Sequence, residues 1–155
     1  MSHSQIGKVL DLLTHGVYIV GVKYGSKING MTAAWVNQVS SQPPMISVAI
    51  GKTRYTSELI SQAKSFSINI LSLNQMELAR KCGFSSGRDQ DKLINEELTY
   101  QATGAPILTN CTAYLDCTLS HQFEVGDHIL FIGTVLEANS NNQSVLIYKS
   151  GDFFN

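Results

Sequence analysis

Charge is scarce in this sequence, and neither sign dominates. Eleven Lys and Arg stand against twelve Asp and Glu, a net charge of −1 with a charged fraction of 15%. With no basic excess to neutralise a phosphate backbone, general nucleic-acid binding is not expected. No apolar run approaches the ~18 residues of a membrane span. The opening Met1-Ser2-His3-Ser4-Gln5 lacks the basic-then-apolar pattern of a secretory signal, so a cytoplasmic location is expected. Cysteine is equally sparse: Cys82, Cys111 and Cys117 are odd in number and form no Cys-x-x-Cys pair. Cys111 and Cys117 share one strand-like stretch, where six residues span roughly 20 Å, against the ~5.5 Å between Cα atoms that a disulfide needs. Reduced, buried thiols are expected. His3, His15, His121 and His128 have no metal-ligand spacing with them.

Familiar catalytic motifs are missing as well. The chain has no Gly-x-Gly-x-x-Gly, no Walker phosphate loop and no Gly-x-Ser-x-Gly elbow. Little is on offer for acid–base or nucleophilic catalysis, so a bound cofactor would have to carry any chemistry.

What is present is an apolar fraction of 43% in 155 residues, enough for a sizeable core and expected to form one domain over 1–155. So low a charge also points to a surface partly covered by another subunit. Ile6, Val9, Leu10 and Leu13 recur at helical spacing, predicting a helix over 5–14. Val17 to Val22 reads as a buried strand, Tyr24 to Lys27 as a turn, and Ile28 to Val36 as the partner strand. Gln42-Pro43-Pro44 should leave the sheet, because proline cannot donate to a ladder. Further strands are expected at 45–50, 66–70, 113–119, 128–136 and 145–148. Helices are expected from Thr56 and over 75–81, with 83–91 a mobile loop. About seven strands and three short helices, with no regular helical crossovers, predict a mostly antiparallel barrel flanked by a few helices. Asp116 falls among the outward residues of its strand.

Two segments are unusual. Asn29 to Pro44 (NGMTAAWVNQVSSQPP) is too polar and small-sided for a core strand. It suits either a planar ligand hydrogen-bonded by the backbone or a solvent-facing edge. Gly51 to Ile60 (GKTRYTSELI) sets two cations before a helix start, suited to phosphate or to ordinary capping by Thr56.

The order Asn29-Gly30-Met31-Thr32-Ala33, Val39-Ser40-Ser41-x-Pro43-Pro44 and Lys52-x-Arg54-Tyr55-Thr56 resembles the flavin reductase-like family. Phe66-Ser67-Ile68-Asn69-Ile70-Leu71, Ala105-Pro106-Ile107-Leu108 and Gly126-Asp127-His128 resemble three further landmarks of that family in register. The resemblance covers about residues 10–150. It implies an FMN-binding split β-barrel and a homodimer with one flavin per subunit near the interface. Carried over, Thr32, Ala33, Ala34 and Trp35 would border the isoalloxazine ring. Val39, Ser40 and Ser41 would run beside the ribityl chain and phosphate, and Lys52, Arg54, Tyr55 and Thr56 would complete the phosphate site. His128 would lie where the nicotinamide of NAD(P)H docks. Ser86 or Arg88 could approach the flavin from the 83–91 loop. Trp35 either covers the flavin or packs at the dimer interface, and Phe153 and Phe154 are read as packing residues. Two departures are visible: many members carry Asn where this chain has Ala34, and no longer C-terminal cover follows Phe154.

The implied activity is hydride transfer from NAD(P)H to flavin, with a monooxygenase, an iron or a redox protein as onward acceptor. The alternative is an FMN electron carrier fed by a protein donor. The wording Ile-Asn-Gly-Met-Thr and Val-Ala-Ile-Gly-Lys stands closest to members of that kind. A third class is a flavin-binding or storage module without turnover. A single cation and hydroxyl cluster, Ser40, Ser41, Lys52, Arg54 and Thr56, implies FMN rather than a dinucleotide flavin.

Overall fold

The structure, a computed structural model, describes residues 3–153; Phe154 lies outside the described residues. In chain order the elements are α1 (His3–Leu10), β1 (His15–Gly16), β2 (Tyr18–Tyr24), β3 (Lys27–Ala33), β4 (Val36–Ser41), β5 (Pro44–Gly51) and α2 (Tyr55–Ala63). There follow β6 (Ser65–Ile70), a 3-10 turn (Leu73–Gln75), α3 (Met76–Phe84), β7 (Leu98–Tyr100) and β8 (Pro106–Leu108). The long strands β9 (Ala113–Val125) and β10 (His128–Ser140), then β11 (Ile147–Tyr148) and α4 (Ser150–Phe153), complete the described chain.

Seven strands form one sheet in the order β3-β2-β6-β9-β10-β5-β4, with every pairing antiparallel. The sheet curls: Val20 and Val22 of β2, Ala33 of β3, Val48 and Ile50 of β5, Phe66 of β6 and Phe131 of β10 share one buried core, joined by Leu59 and Ile60 of α2. Strands from opposite ends of the sheet meet there, so it is a barrel. The edges β3 and β4 do not pair, so the barrel is split, as expected. Alternation explains the unbroken apolar run of β2. Val20 and Val22 point into the barrel, while Ile19, with Val17 before the strand, packs outward under Ala79 and Cys82 of α3. At Gly133 the backbone passes so close to Phe66 that a Cβ would lie 2.6 Å from the ring.

Tight turns set the registers. Tyr24 pairs with Lys27 across Gly25-Ser26, and Gly25 adopts φ +61°, open to glycine at no steric cost. Likewise Gly126, at φ +56°, forms with Asp127 the β9–β10 turn, pairing His128 with Val125 on one side and Gly51 on the other.

Several expectations need correction. The described residues hold eleven strands and four α-helices: β1, β7 and β8 carry two or three residues, too few to show a period, and β4 is the exposed edge strand within the 29–44 segment. Helix α1 ends at Leu10, not 14. Pro44 does not leave the sheet but opens β5 opposite Ser41, as the first residue of the strand, before the pairing with β10 begins at Met45, while Gln42-Pro43 makes the turn with a cis peptide. Thr56 is not the cap of α2. The cap position is Arg54, without a side-chain cap bond, and Thr56 is buried in the first turn. Asp116 is fully buried, accepting hydrogen bonds from the backbone N–H of Thr103 (3.0 Å) and from its hydroxyl. The 83–91 segment is tethered: Gly83 and Phe84 belong to α3, and buried Lys92 donates to the carbonyls of Cys82 and Ser85, both at 3.1 Å.

Candidate functional site

The two unpaired edges are joined only by Ala34-Trp35, a sharp bend closed by the Val36 N–H donating to the Ala34 carbonyl at 3.1 Å. A cavity of about 820 Å³ opens beside this bend, within the ~300–1,000 Å³ range of small-molecule sites. Thr32, Ala33, Ala34 and Trp35 line it from β3 and the bend. The Thr32 hydroxyl donates to the Ala79 carbonyl at 2.6 Å, fixing β3 against α3.

One wall is polar. Helix α2 begins there with Arg54, Tyr55 and Thr56, and the tethered segment contributes Ser85, Ser86, Gly87 and Arg88. The Arg54 guanidinium has no hydrogen-bond or ion-pair partner among the described residues, nor do the backbone N–H groups of Tyr55 and Thr56 find an acceptor. Lys92 also lines the cavity, but its ammonium is engaged by the carbonyls of Cys82 and Ser85, and burial, with the Arg54 charge acting the same way, holds it below the usual lysine range. Arg88, by contrast, is engaged. It pairs with Glu58 at 2.9 Å, donates to the Thr53 carbonyl at 3.2 Å and lies 5.1 Å above the Tyr55 ring.

His128 and Trp35 form another part of the lining, their rings 4.8 Å apart and tilted by 35°. The Trp35 carbonyl accepts from the Ala49 N–H at 3.1 Å, holding the bend to β5. Leu10, Leu13, His15, Tyr148 and Phe153 make an apolar and aromatic wall. Tyr148 stacks on Phe153 at 5.4 Å, and the Asp152 carbonyl accepts from Arg80 at 2.8 and 3.2 Å, docking α4.

Thus the structure gathers Thr32, Ala33, Ala34, Trp35, Arg54, Tyr55, Thr56 and His128 around one cavity, with Ser86 and Arg88 beside them. It does not bring Val39, Ser40, Ser41 or Lys52 to that cavity. The first three run on along the edge strand β4, and Lys52 turns to Glu124 of β9 at 3.5 Å. Asn29 and Asn37, inside the unusual 29–44 segment but given no role from sequence, also line the cavity, as do Lys92 and Tyr148, which the sequence did not point to. The polarity of Asn29 at an inward strand position was the one available signal. Among the described residues no cluster of His, Cys, Asp and Glu could hold a metal, and no helix is long and apolar enough to cross a membrane.

Comparison with known proteins matches residues 10–155 to the flavin reductase like domain. A high molecular weight rubredoxin of Moorella thermoacetica is 38% identical over 84% of the chain, and the chain spans 58% of that protein's length. An NADH-dependent FMN reductase of Streptomyces nodosus subsp. asukaensis is 30% identical over 97% of the chain and 83% of its own length. Among solved structures, an NADH:FAD oxidoreductase of Streptomyces globisporus superposes with a TM-score of 0.89 at 26% identity, over 97% of this chain and 90% of that one.

Proposed function

The chain belongs to the flavin reductase-like family, and from that footing we propose that it binds FMN at the barrel's split and catalyses its reduction by NAD(P)H. The observation that carries this reading is the unpartnered Arg54 guanidinium beside two open N–H groups at the start of α2, on the wall of a cavity sized for a cofactor. A phosphate monoester satisfies all three donors at once, and the positive end of the helix favours it. The residues therefore fit FMN. The proposed phosphate site is Arg54, Tyr55 and Thr56. Lys52, diverted to Glu124, and Val39, Ser40 and Ser41, along β4, stand apart from it.

Bound FMN would supply the redox chemistry, accepting a hydride at N5. The chain's own work is to bind and position. The small residues Ala33 and Ala34 leave backbone accessible to a planar ring, and Thr32 keeps β3 in place through α3. His128, its Nδ1 against Asp127, offers Nε2 to a docking nicotinamide. A homodimer fits the exposed apolar residues near the cavity: Val9, Leu10, Leu12 and Leu13 about the end of α1, with Trp35 and Val39 at the split.

A second reading, an FMN electron carrier reduced by a protein donor, is favoured by the 38% identity to a high molecular weight rubredoxin. Anaerobic mixing of the FMN-loaded protein with NADH or NADPH separates the two. Bleaching of the flavin absorbance supports the reductase, and its absence with both nucleotides supports the carrier. Protein that is colourless and takes up no added FMN overturns both.

A further inference from the structure

Among the described residues two buried side-chain polar atoms have no hydrogen-bond partner, Asn29 Oδ1 and Thr112 Oγ1. Thr112 lies away from the cavity, whereas Asn29 lines it. The Asn29 side chain sits on β3 with 2% of the residue exposed, and its Nδ2 donates to Thr56 Oγ1 at 2.8 Å. Its other end is closed off from protein partners by a packed glycine. A Cβ at Gly87 would collide with the Asn29 amide and come within 3.0 Å of the Tyr55 ring. An open amide atom of this kind is costly to bury in an empty fold and calls for a partner from the cavity.

Resting on the FMN reading above, we propose that Asn29 is a flavin-binding residue whose carboxamide takes a hydroxyl group of the ribityl chain. Location selects that part of the cofactor. Asn29 is bonded to Thr56, in the same helical turn as the open N–H groups assigned to the phosphate. The ribityl hydroxyls are the polar groups covalently nearest a flavin's phosphate, while the N3–H donor lies at the far end of the ring system. An ionised phosphate offers no proton to a carboxamide oxygen. A hydroxyl both donates and accepts, so it satisfies the open amide atom whichever way the amide is turned.

The proposal makes Asn29 the residue that distinguishes a flavin bearing a polyol from one bearing an alkyl chain. The probes are riboflavin, lumiflavin and a 10-pentyl flavin with no hydroxyls, titrated by flavin fluorescence against the full chain. Wild-type protein is expected to bind riboflavin about tenfold more tightly than the pentyl analogue, the worth of about one net hydrogen bond. Asn29→Leu should erase that preference and leave lumiflavin affinity unchanged. Asn29→Asp, which keeps an acceptor, should retain the preference. Equal loss of riboflavin and lumiflavin in Asn29→Leu would overturn the assignment while leaving the FMN reading intact, as would a wild type indifferent to the hydroxyls. If Asn29→Leu does not fold, Asn29→Asp carries the residue-level test, a lost riboflavin preference there overturning the assignment. A wild type that takes up neither these flavins nor added FMN would overturn both this assignment and the FMN reading, whereas one that takes up FMN alone would overturn this assignment only.

Discussion

Nδ1 of His128 lies 2.6 Å from Oδ1 of Asp127, the residue that makes the β9–β10 turn with Gly126. The bond occupies Nδ1, so Nε2 is the ring nitrogen left for a ligand. The hydrogen bond to His128, then the charge of that ring, holds the Asp127 carboxyl below the usual carboxylate range. A depressed acid keeps its charge until pH falls through the lowered value, so the Asp127 carboxylate is ionised at neutral pH and can accept from the ring. His128→Ala is expected to leave FMN affinity unchanged and to slow reduction by NAD(P)H, by up to ~100-fold, the cost of a donor ring misplaced by about 1 Å. Asp127→Asn should slow it less. Stopped-flow reduction of pre-bound FMN reads both, and unchanged rates would assign the pair to the turn alone.

Arg54→Ala should weaken FMN by about 10- to 150-fold and leave riboflavin nearly indifferent, since a charge-assisted hydrogen bond to phosphate contributes roughly 1.5–3 kcal/mol. Equal weakening of both flavins, by fluorescence titration, would show that Arg54 acts on the start of α2 and not on the phosphate.

The features legible in the sequence were local or periodic. Gly126-Asp127-His128 is a turn followed by a strand, and its chemistry and geometry sit in three adjacent residues. Alternation in Phe66 to Ile70 gave β6 within a residue. Features decided by distant partners were not legible. Lys52 has the right neighbours for a phosphate ligand, yet its ammonium lies 3.5 Å from Glu124, far along the chain, a pairing no local pattern announces. Asp116 alternates outward on β9, but the 103–106 segment folds over that face and buries it. Asn29 looked like the head of a motif, and only the approach of Gly87 and Thr56 shows that its amide is half satisfied.

Asp116→Ala tests that burial. It removes the acceptor for the Thr103 N–H and hydroxyl, and a lost bond to a charged acceptor in the interior costs about 1.5–3 kcal/mol. Urea unfolding should show a lower midpoint with the slope unchanged, while FMN affinity is unaffected. A surface role would leave the midpoint within about 0.5 kcal/mol of wild type.

Oligomeric state is tested directly. Leu12 and Leu13, 78% and 60% exposed, stand beside a cavity wall built partly by Leu10 and Leu13 themselves. A second copy covering this region would bury above ~2,000 Å² in an obligate interface. Light scattering at micromolar concentration should give twice the chain mass, and Leu12→Lys with Leu13→Lys should halve it. A wild-type monomer would refute the dimer.

The three thiols give a pH signature. Cys82, Cys111 and Cys117 are all buried and unbridged. Burial pushes Cys82 and Cys111 up to about 11 and Cys117 up to about 12. In the unfolded chain each titrates near ~8.5. The folded state therefore holds protons that the unfolded state releases, so ∂ΔG/∂pH is negative between the two values. Their contribution to stability is complete below pH ~8.5 and is lost as pH rises through about 11 and 12. Urea midpoints should thus fall across that alkaline window, and Cys117→Ala should flatten the fall even if it lowers the midpoint at pH 7. At pH 8 alkylation by iodoacetamide should be slow in the native protein and fast in urea, because the thiolate is the nucleophile. Of the three, Cys82 alone lines the cavity, so any native labelling there should be suppressed by FMN. Rapid native labelling at Cys117 would contradict the burial that sets its proton affinity.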